Sequence, residues 1–278
     1  MQRVPFGPSK EIMRSIFRTR AYADESIQRY WKQLQADPDN VKTTLLTKEY
    51  AEVENGTIPA DQLIRDAHGN IVAGTDTTAV TATYAIWFLA QDTRIQQALI
   101  EEVSTLPDGF KDNDLRSLRV MGGVLNETLR LRSAIGGSLP RLVPPGGAQF
   151  CGYFIPEKTV VGIPTWTMHR DPAVMQDPER FDPSRWYEPT KDMLHNFLPF
   201  GGGSRVCIGS HLAQLELRHA LANFYRTFPS GVRLSKAEGF SDADMMQMAY
   251  FLSPPKGKRC LVESRKQSFS AAPLSDLI

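Results

Sequence analysis

Along the first third of the chain, apolar side chains recur at helical rather than strand spacing. Ile12, Ile16, Ile27, Tyr30 and Trp31 mark a helix from Lys10 to about Leu34, with Ser9 as its candidate cap. The run Ala36-Asp37-Pro38-Asp39-Asn40 breaks it. A short helix from Val41 to Glu54 and the turn Asn55-Gly56 follow. Pro59 then opens the longest helical pattern, Ala60 to Leu89, which spans roughly 45 Å at helical rise. From Ile71 to Ala90 that pattern is apolar or small on nearly every face, as expected of a buried central helix kinked near Gly74. Asp92 caps a further helix, Thr93 to Ser104, and Leu115 to Arg132 reads as another. Past Ile135 the pattern changes to short β runs punctuated by Gly and Pro, then to a loop rich in Asp, Pro and Arg from Arg170 to Pro189. A helix from His211 to Tyr225 and a hairpin over 245–262 complete the series, and the polar tail Glu263 to Ile278 is expected to be disordered. The predicted fold class is mainly α with a small β region.

Composition narrows the partners. The 278 residues are 41% apolar with a formal net charge of +1, enough for a large core and too little positive charge for a nucleic-acid surface. Three cysteines (Cys151, Cys207 and Cys260) suit a reducing compartment, and Cys151 and Cys260 read as ordinary buried thiols. No run of 18 apolar residues is present, so no membrane span is expected, and the opening stretch has no secretory apolar core.

The candidate chemistry centres on Phe200-Gly201-Gly202-Gly203-Ser204-Arg205-Val206-Cys207-Ile208-Gly209. Glycines let a backbone approach a flat ligand closely, and a following helix start stabilises an anion such as a thiolate. Arg205 is placed to pair with a ligand carboxylate. Taken alone, the loop reads first as a turn holding a buried thiol. It lacks the Lys-Ser/Thr ending of a phosphate loop, and Cys207 with His211 lacks the further ligands of a zinc site.

Three upstream motifs change that balance: Ala73-Gly74-Thr75-Asp76-Thr77-Thr78, Glu127-Thr128-Leu129-Arg130, and Pro178-Glu179-Arg180-Phe181. With the Cys207 loop, which has Phe200, Gly203, Arg205, Cys207 and Gly209 at the fixed positions, the chain resembles the cytochrome P-450 family of haem-thiolate monooxygenases. The resemblance implies that residues 1–262 form the C-terminal part of a haem domain with the mainly helical P-450 fold, truncated at its N-terminal side. It implies haem b as cofactor, Cys207 as axial iron ligand, and Phe200, Gly201, Arg205 and Gly209 as its cradle. Arg141 becomes a second propionate partner. Ala73 and Gly74 would make room for dioxygen, and Asp76 and Thr77 would deliver protons to it. Glu127 and Arg130, which without the resemblance read as an exposed ion pair, would be buried and joined by Arg180 to brace the Cys207 loop. Ile135, Gly136, Gly137, Ser138 and Leu139 would line a substrate pocket, with Met246, Met248 and Tyr250 nearby. His169 and His195 read as structural or exposed loop residues.

The expected reaction inserts one atom of O2 into a small apolar organic substrate, with electrons from an NADPH-dependent reductase. The segment from Trp166 to Trp186 resembles eukaryotic, fungal-type members, which implies secondary metabolism at the cytoplasmic side of the endoplasmic reticulum if the parent protein is anchored there. Because the family's first helices, most of its first sheet and its distal loop find no match, the alternative expectation is a non-catalytic remnant unable to hold haem.

Overall fold

The structure is a computed structural model that describes residues 8–265, and the chain divides into two compact units, Met1–Asp76 and Thr77–Ile278. The first unit holds α1 (Pro8–Ala36), α2 (Thr47–Glu54) and the start of α3 (Ala60–Gln91). Its core is Ala23, Ile27, Tyr50, Leu63 and Ala67, flanked by Tyr30 and Trp31. The Tyr50 hydroxyl is spared an unmet hydrogen bond by donating to the Ile27 carbonyl at 3.1 Å. Helix α1 starts one residue before Ser9, so Ser9 lies inside it; Ile16 is exposed, and the Ile12 side chain lies outside the described residues. Helix α2 begins at Thr47 rather than Val41, because Thr47 Oγ1 accepts the Thr44 N–H at 2.7 Å and shares a hydrogen bond with Tyr30 at 2.8 Å.

The second unit contains the rest of α3, then α4 (Thr93–Ser104), α5 (Asp112–Arg116), α6 (Arg119–Leu131) and, near its end, α9 (Ser210–Thr227). Asp92 caps α4 by accepting from the Arg94 and Ile95 N–H groups at 2.9 and 3.2 Å. The expected single helix from Leu115 to Arg132 is two, since Glu102 from α4 takes the Val120 and Met121 N–H groups, both at 2.8 Å, and starts α6 afresh. Leu89, Leu99, Val103, Met121, Val124, Leu217 and Leu221 form the main core, where α4, α6 and α9 meet. Burial along α3 is interrupted: Leu63 and Ala67 are buried near its start, Val72 to Asp76 are exposed, and buried side chains resume at Thr81. The small side chains at 73–75 give that stretch little apolar area to bury.

The β region consists, among the described residues, of three two-stranded antiparallel sheets. Strand β1 (Ser138–Leu142) pairs with β4 (Val160–Pro164) in the register Leu139–Ile163 and Arg141–Val161. Strands β2 (Ala148–Phe150) and β3 (Tyr153–Ile155) form a hairpin whose tip is Cys151-Gly152. Strand β5 (Val232–Leu234) pairs with β6 (Val262–Ser264). The expected terminal hairpin is reduced to one bridge, Gln247–Pro255, because the chain after Leu261 pairs with β5 instead. The start of the expected tail is therefore strand, and 266–278 lie outside the described residues. Gln96 fastens this sheet to the helices: its amide donates to Leu89 and Val232 carbonyls at 2.9 and 3.1 Å and accepts the Val232 N–H at 3.0 Å.

Candidate functional site

Between α7 (Thr165–Met168) and α9 the chain wraps through a 3-10 turn at Pro183–Trp186 and α8 (Lys191–Asn196). It then tightens into the cysteine loop. The Gly201 N–H donates to the Leu198 carbonyl at 3.0 Å, Val206 to Gly203 at 3.2 Å, and Cys207 to Phe200 at 2.9 Å. These closures need left-handed corners, which Gly201 and Gly203 supply at φ +74° and +65°. Cys207 ends the loop three residues before α9, and its thiol side is exposed.

Exposed apolar residues flank Cys207 in the chain. Val206, Ile208 and Leu212 are exposed beside it in sequence, Ile208 to 76%. A Cβ at Gly209 would meet Cys207 Sγ at 3.9 Å, and one at Gly201 would meet Leu139 Cδ1 at 3.4 Å, so β1 packs against the loop. Arg141, two residues beyond Leu139, lies on the same face of β1. Among the described residues neither Arg141 nor Arg205 has an ion-pair partner; the Arg141 guanidinium donates only to the Pro140 carbonyl at 2.9 Å. An accessible soft sulfur donor, a glycine-cornered loop and two unpaired cations fit a planar, apolar, carboxylate-bearing cofactor bound through one thiolate. No group of three His, Cys, Asp or Glu that could hold a bare metal ion occurs among the described residues.

Behind the loop lies a buried ionic cluster on α6. Glu127 and Arg130 are paired at 2.8 Å, both side chains fully buried. Glu127 also accepts from the Asp182 N–H, Arg185 Nε and Trp186 Nε1, each at 2.9 Å. Arg130 spends its remaining donors on the carbonyls of His169 (2.8 Å), Pro178 (2.6 Å) and Arg180 (3.2 Å). The expected triad therefore has a different third member. Arg180 is exposed and contributes only its backbone carbonyl, whereas the Arg185 side chain meets Glu127. The second tetrapeptide, Pro183-Ser184-Arg185-Trp186, repeats the Pro-x-Arg-aromatic pattern of the first and is the one whose arginine side chain reaches Glu127. Gly123 makes that approach possible, since a Cβ there would lie 2.6 Å from the Pro183 carbonyl oxygen.

His169 is fully buried and bonded through both ring nitrogens, with Nδ1 3.2 Å from the Arg130 carbonyl and Nε2 accepting the Leu198 N–H at 3.0 Å. Burial, with Arg130 and Arg170 nearby and opposed by the Arg130 carbonyl bond, lowers its pKa to about 4. His195 is exposed and lies in α8, not in a loop. Cys151 is exposed at its hairpin tip with φ 49°, not buried. Cys260 is partly buried in a cleft of about 400 Å³ with Ile86, Phe224 and Val262, and its thiol is pushed up to about 11 by burial.

In α3, Ala73, Gly74 and Asp76 close the first unit, exposed, and Thr77 opens the second, half-buried. The helix runs unbroken through them, and a Cβ at Gly74 would meet nothing within 4 Å. Threonine hydroxyls bond back along the helix, Thr75 to the Ile71 carbonyl at 2.7 Å and Thr81 to that of Thr77 at 2.9 Å. Of the expected pocket residues, Ile135, Gly136, Leu139 and Met248 are half-buried, while Gly137, Ser138, Met246 and Tyr250 are exposed.

A mainly helical chain that closes a glycine loop on one cysteine above a Glu-x-x-Arg helix has the form of a haem-thiolate protein. The sequence matches the Cytochrome P450 family over residues 6–261, and the chain belongs to that family. It is similar to Cytochrome P450 monooxygenase tazI of Aspergillus terreus, 44% identical over 262 residues that cover 94% of this chain and 53% of that protein. Cytochrome P450 monooxygenase orf2 of Aspergillus niger is 40% identical over 261 residues, covering 94% and 53%. Cytochrome P450 monooxygenase azaI, also of Aspergillus niger, is 37% identical over 282 residues, covering 94% and 60%. The chain spans about half the length of the curated relatives it matches.

Proposed function

We propose that the chain forms the thiolate-bearing part of a haem-dependent monooxygenase, in which the Cys207 thiolate would hold haem b. The observation that carries this reading is the exposed Cys207 side chain on its closed glycine loop, with Arg205 and Arg141 unpaired among the described residues. Bound there, a thiolate-held haem would supply the redox chemistry of a monooxygenase, using O2 and electrons from an NADPH-dependent reductase.

The chain's own residues do the rest. Gly201, Gly203 and Gly209 keep side chains off the ligand plane, and Phe200 fixes the loop through its carbonyl bond to the Cys207 N–H. Arg205 and Arg141 pair with the cofactor's carboxylates. On the strength of their motif, Ala73 and Gly74 leave space for a diatomic ligand, and the Asp76 carboxylate and Thr77 hydroxyl hand on protons. The substrate is a small apolar organic molecule of fungal secondary metabolism, met at the cytoplasmic side of the endoplasmic reticulum if the parent protein is anchored there.

The test is the reduced, CO-bound difference spectrum of the purified chain after haem supply, beside Cys207→Ala. A strongly red-shifted Soret band lost in the variant supports the reading. No band in the parent chain overturns it for this chain. That result would favour a second reading, a non-catalytic chain that keeps the motifs without holding the cofactor, for which the exposure of Phe17, Leu45 and Val72 speaks.

A further inference from the structure

The hydrogen bonds of His169 define its chemical form. The Leu198 N–H can only donate, so the Nε2 that receives it at 3.0 Å is unprotonated, and Nδ1 carries the hydrogen offered to the Arg130 carbonyl. Arg130 returns the contact, its Nη1 donating to the His169 carbonyl at 2.8 Å. On the other side the path runs on through the backbone. The Leu198 carbonyl takes the Gly201 N–H at 3.0 Å, and the Phe200 carbonyl takes that of Cys207 at 2.9 Å.

We propose that His169 is the positioning residue of the Cys207 loop, a neutral imidazole that ties the start of the loop to the buried Glu127–Arg130 pair. A loop built on glycine corners has little side-chain packing of its own to fix it, so an acceptor at its entry decides how firmly it is held. An apolar ring of similar size fills the space but leaves the Leu198 N–H without its acceptor. The charged groups facing the imidazole are Arg130 from α6 and Arg170 from the adjoining residue. The 197–198 segment brings the Phe197 ring at 5.5 Å and backbone alone. Two nearby cations and burial both oppose a positive ring, which keeps Nε2 free to accept.

The consequence for a bound cofactor rests on the reading of Cys207 as ligand; the hydrogen bonds do not. Amide hydrogen exchange on the cofactor-free chain therefore tests the tie directly, for the parent, His169→Phe and His169→Gln. In the parent, the Leu198, Gly201 and Cys207 amides are protected. In His169→Phe they exchange about tenfold faster or more, while core amides of α4 and α9 keep their protection. His169→Gln, whose side chain can both accept and donate, restores most of the difference. After haem supply, His169→Phe also gives a weakened thiolate band in the CO-bound spectrum.

Three results would each sink the proposal. One is a Leu198 amide that exchanges freely in the parent chain, a measurement that needs no variant to fold. Another is unchanged exchange over 198–207 in a folded His169→Phe. The third is a uniform loss of protection with no recovery in His169→Gln. Loop exchange as expected, with no thiolate band in any form, overturns the ligand reading and leaves the tie intact.

Discussion

Arg185 Nε lies 2.9 Å from Oε1 of Glu127, which precedes it by 58 residues, and the side chains are 9% and 0% exposed. A buried carboxylate that receives two guanidiniums, an indole N–H and a backbone N–H is a fixed point for everything bonded to it.

Arg185→Ala is expected to destabilise the chain by about 3 kcal/mol or more, because it removes one partner of a buried charge and leaves the other in place. Arg180→Ala, which removes an exposed side chain, should leave the urea midpoint nearly unchanged. Equal losses in the two variants would contradict the arrangement.

The buried imidazole makes stability depend on pH in a defined window. Unfolded, His169 takes a proton near its ordinary 6.5; folded, it does so only near 4. Between those values the unfolded chain holds the extra proton, so acid favours unfolding, and stability rises with pH until it levels off above about 6.5. The total is about 3 kcal/mol. Urea midpoints measured from pH 4 to pH 7 should show this slope in the parent and not in His169→Gln. A matching slope in both would place the titration elsewhere.

Two adjacent glycines in α6 should respond oppositely to alanine. At Gly123 the new Cβ meets the Pro183 carbonyl, a backbone atom that cannot turn away, and the cost is about 1–3 kcal/mol. At Gly122 it meets nothing within 4 Å, so the helix gains roughly 0.5–1 kcal/mol. Thermal unfolding of both single variants decides the matter.

Thiol labelling should sort the three cysteines. Cys151 and Cys207 are exposed and should react readily with a maleimide at neutral pH. Cys260, partly buried and with its thiol near 11, should react far more slowly. Mass spectrometry of timed samples gives the order, and haem supply should protect Cys207 alone.

What could be read from the sequence was what local chemistry fixes. Asp92 caps α4 as its position before an apolar-periodic run predicts, and the long helix opens after Pro59. What misled was long-range. Pro178-Glu179-Arg180-Phe181 and Pro183-Ser184-Arg185-Trp186 are alike as strings, and only the fold tells which arginine reaches Glu127. The split between α5 and α6 depends on Glu102, 18 and 19 residues before the N–H groups it caps. His169 carries no periodic signal, and its two bonds join partners 39 and 29 residues away. The local clue is the adjacent pair His169-Arg170, since two polar side chains in sequence both need partners where they are buried.

The ties to Glu127 also set an order of events during folding. Asp182, Arg185 and Trp186 reach it across 55, 58 and 59 residues, so their bonds form only after that length of chain has been looped back onto α6. Helices α4 and α6, nearer neighbours in the chain, can dock before that. The cysteine loop, fastened through residues of the same wrap, is then among the last segments to settle. Mutations in it should therefore speed unfolding far more than they slow refolding.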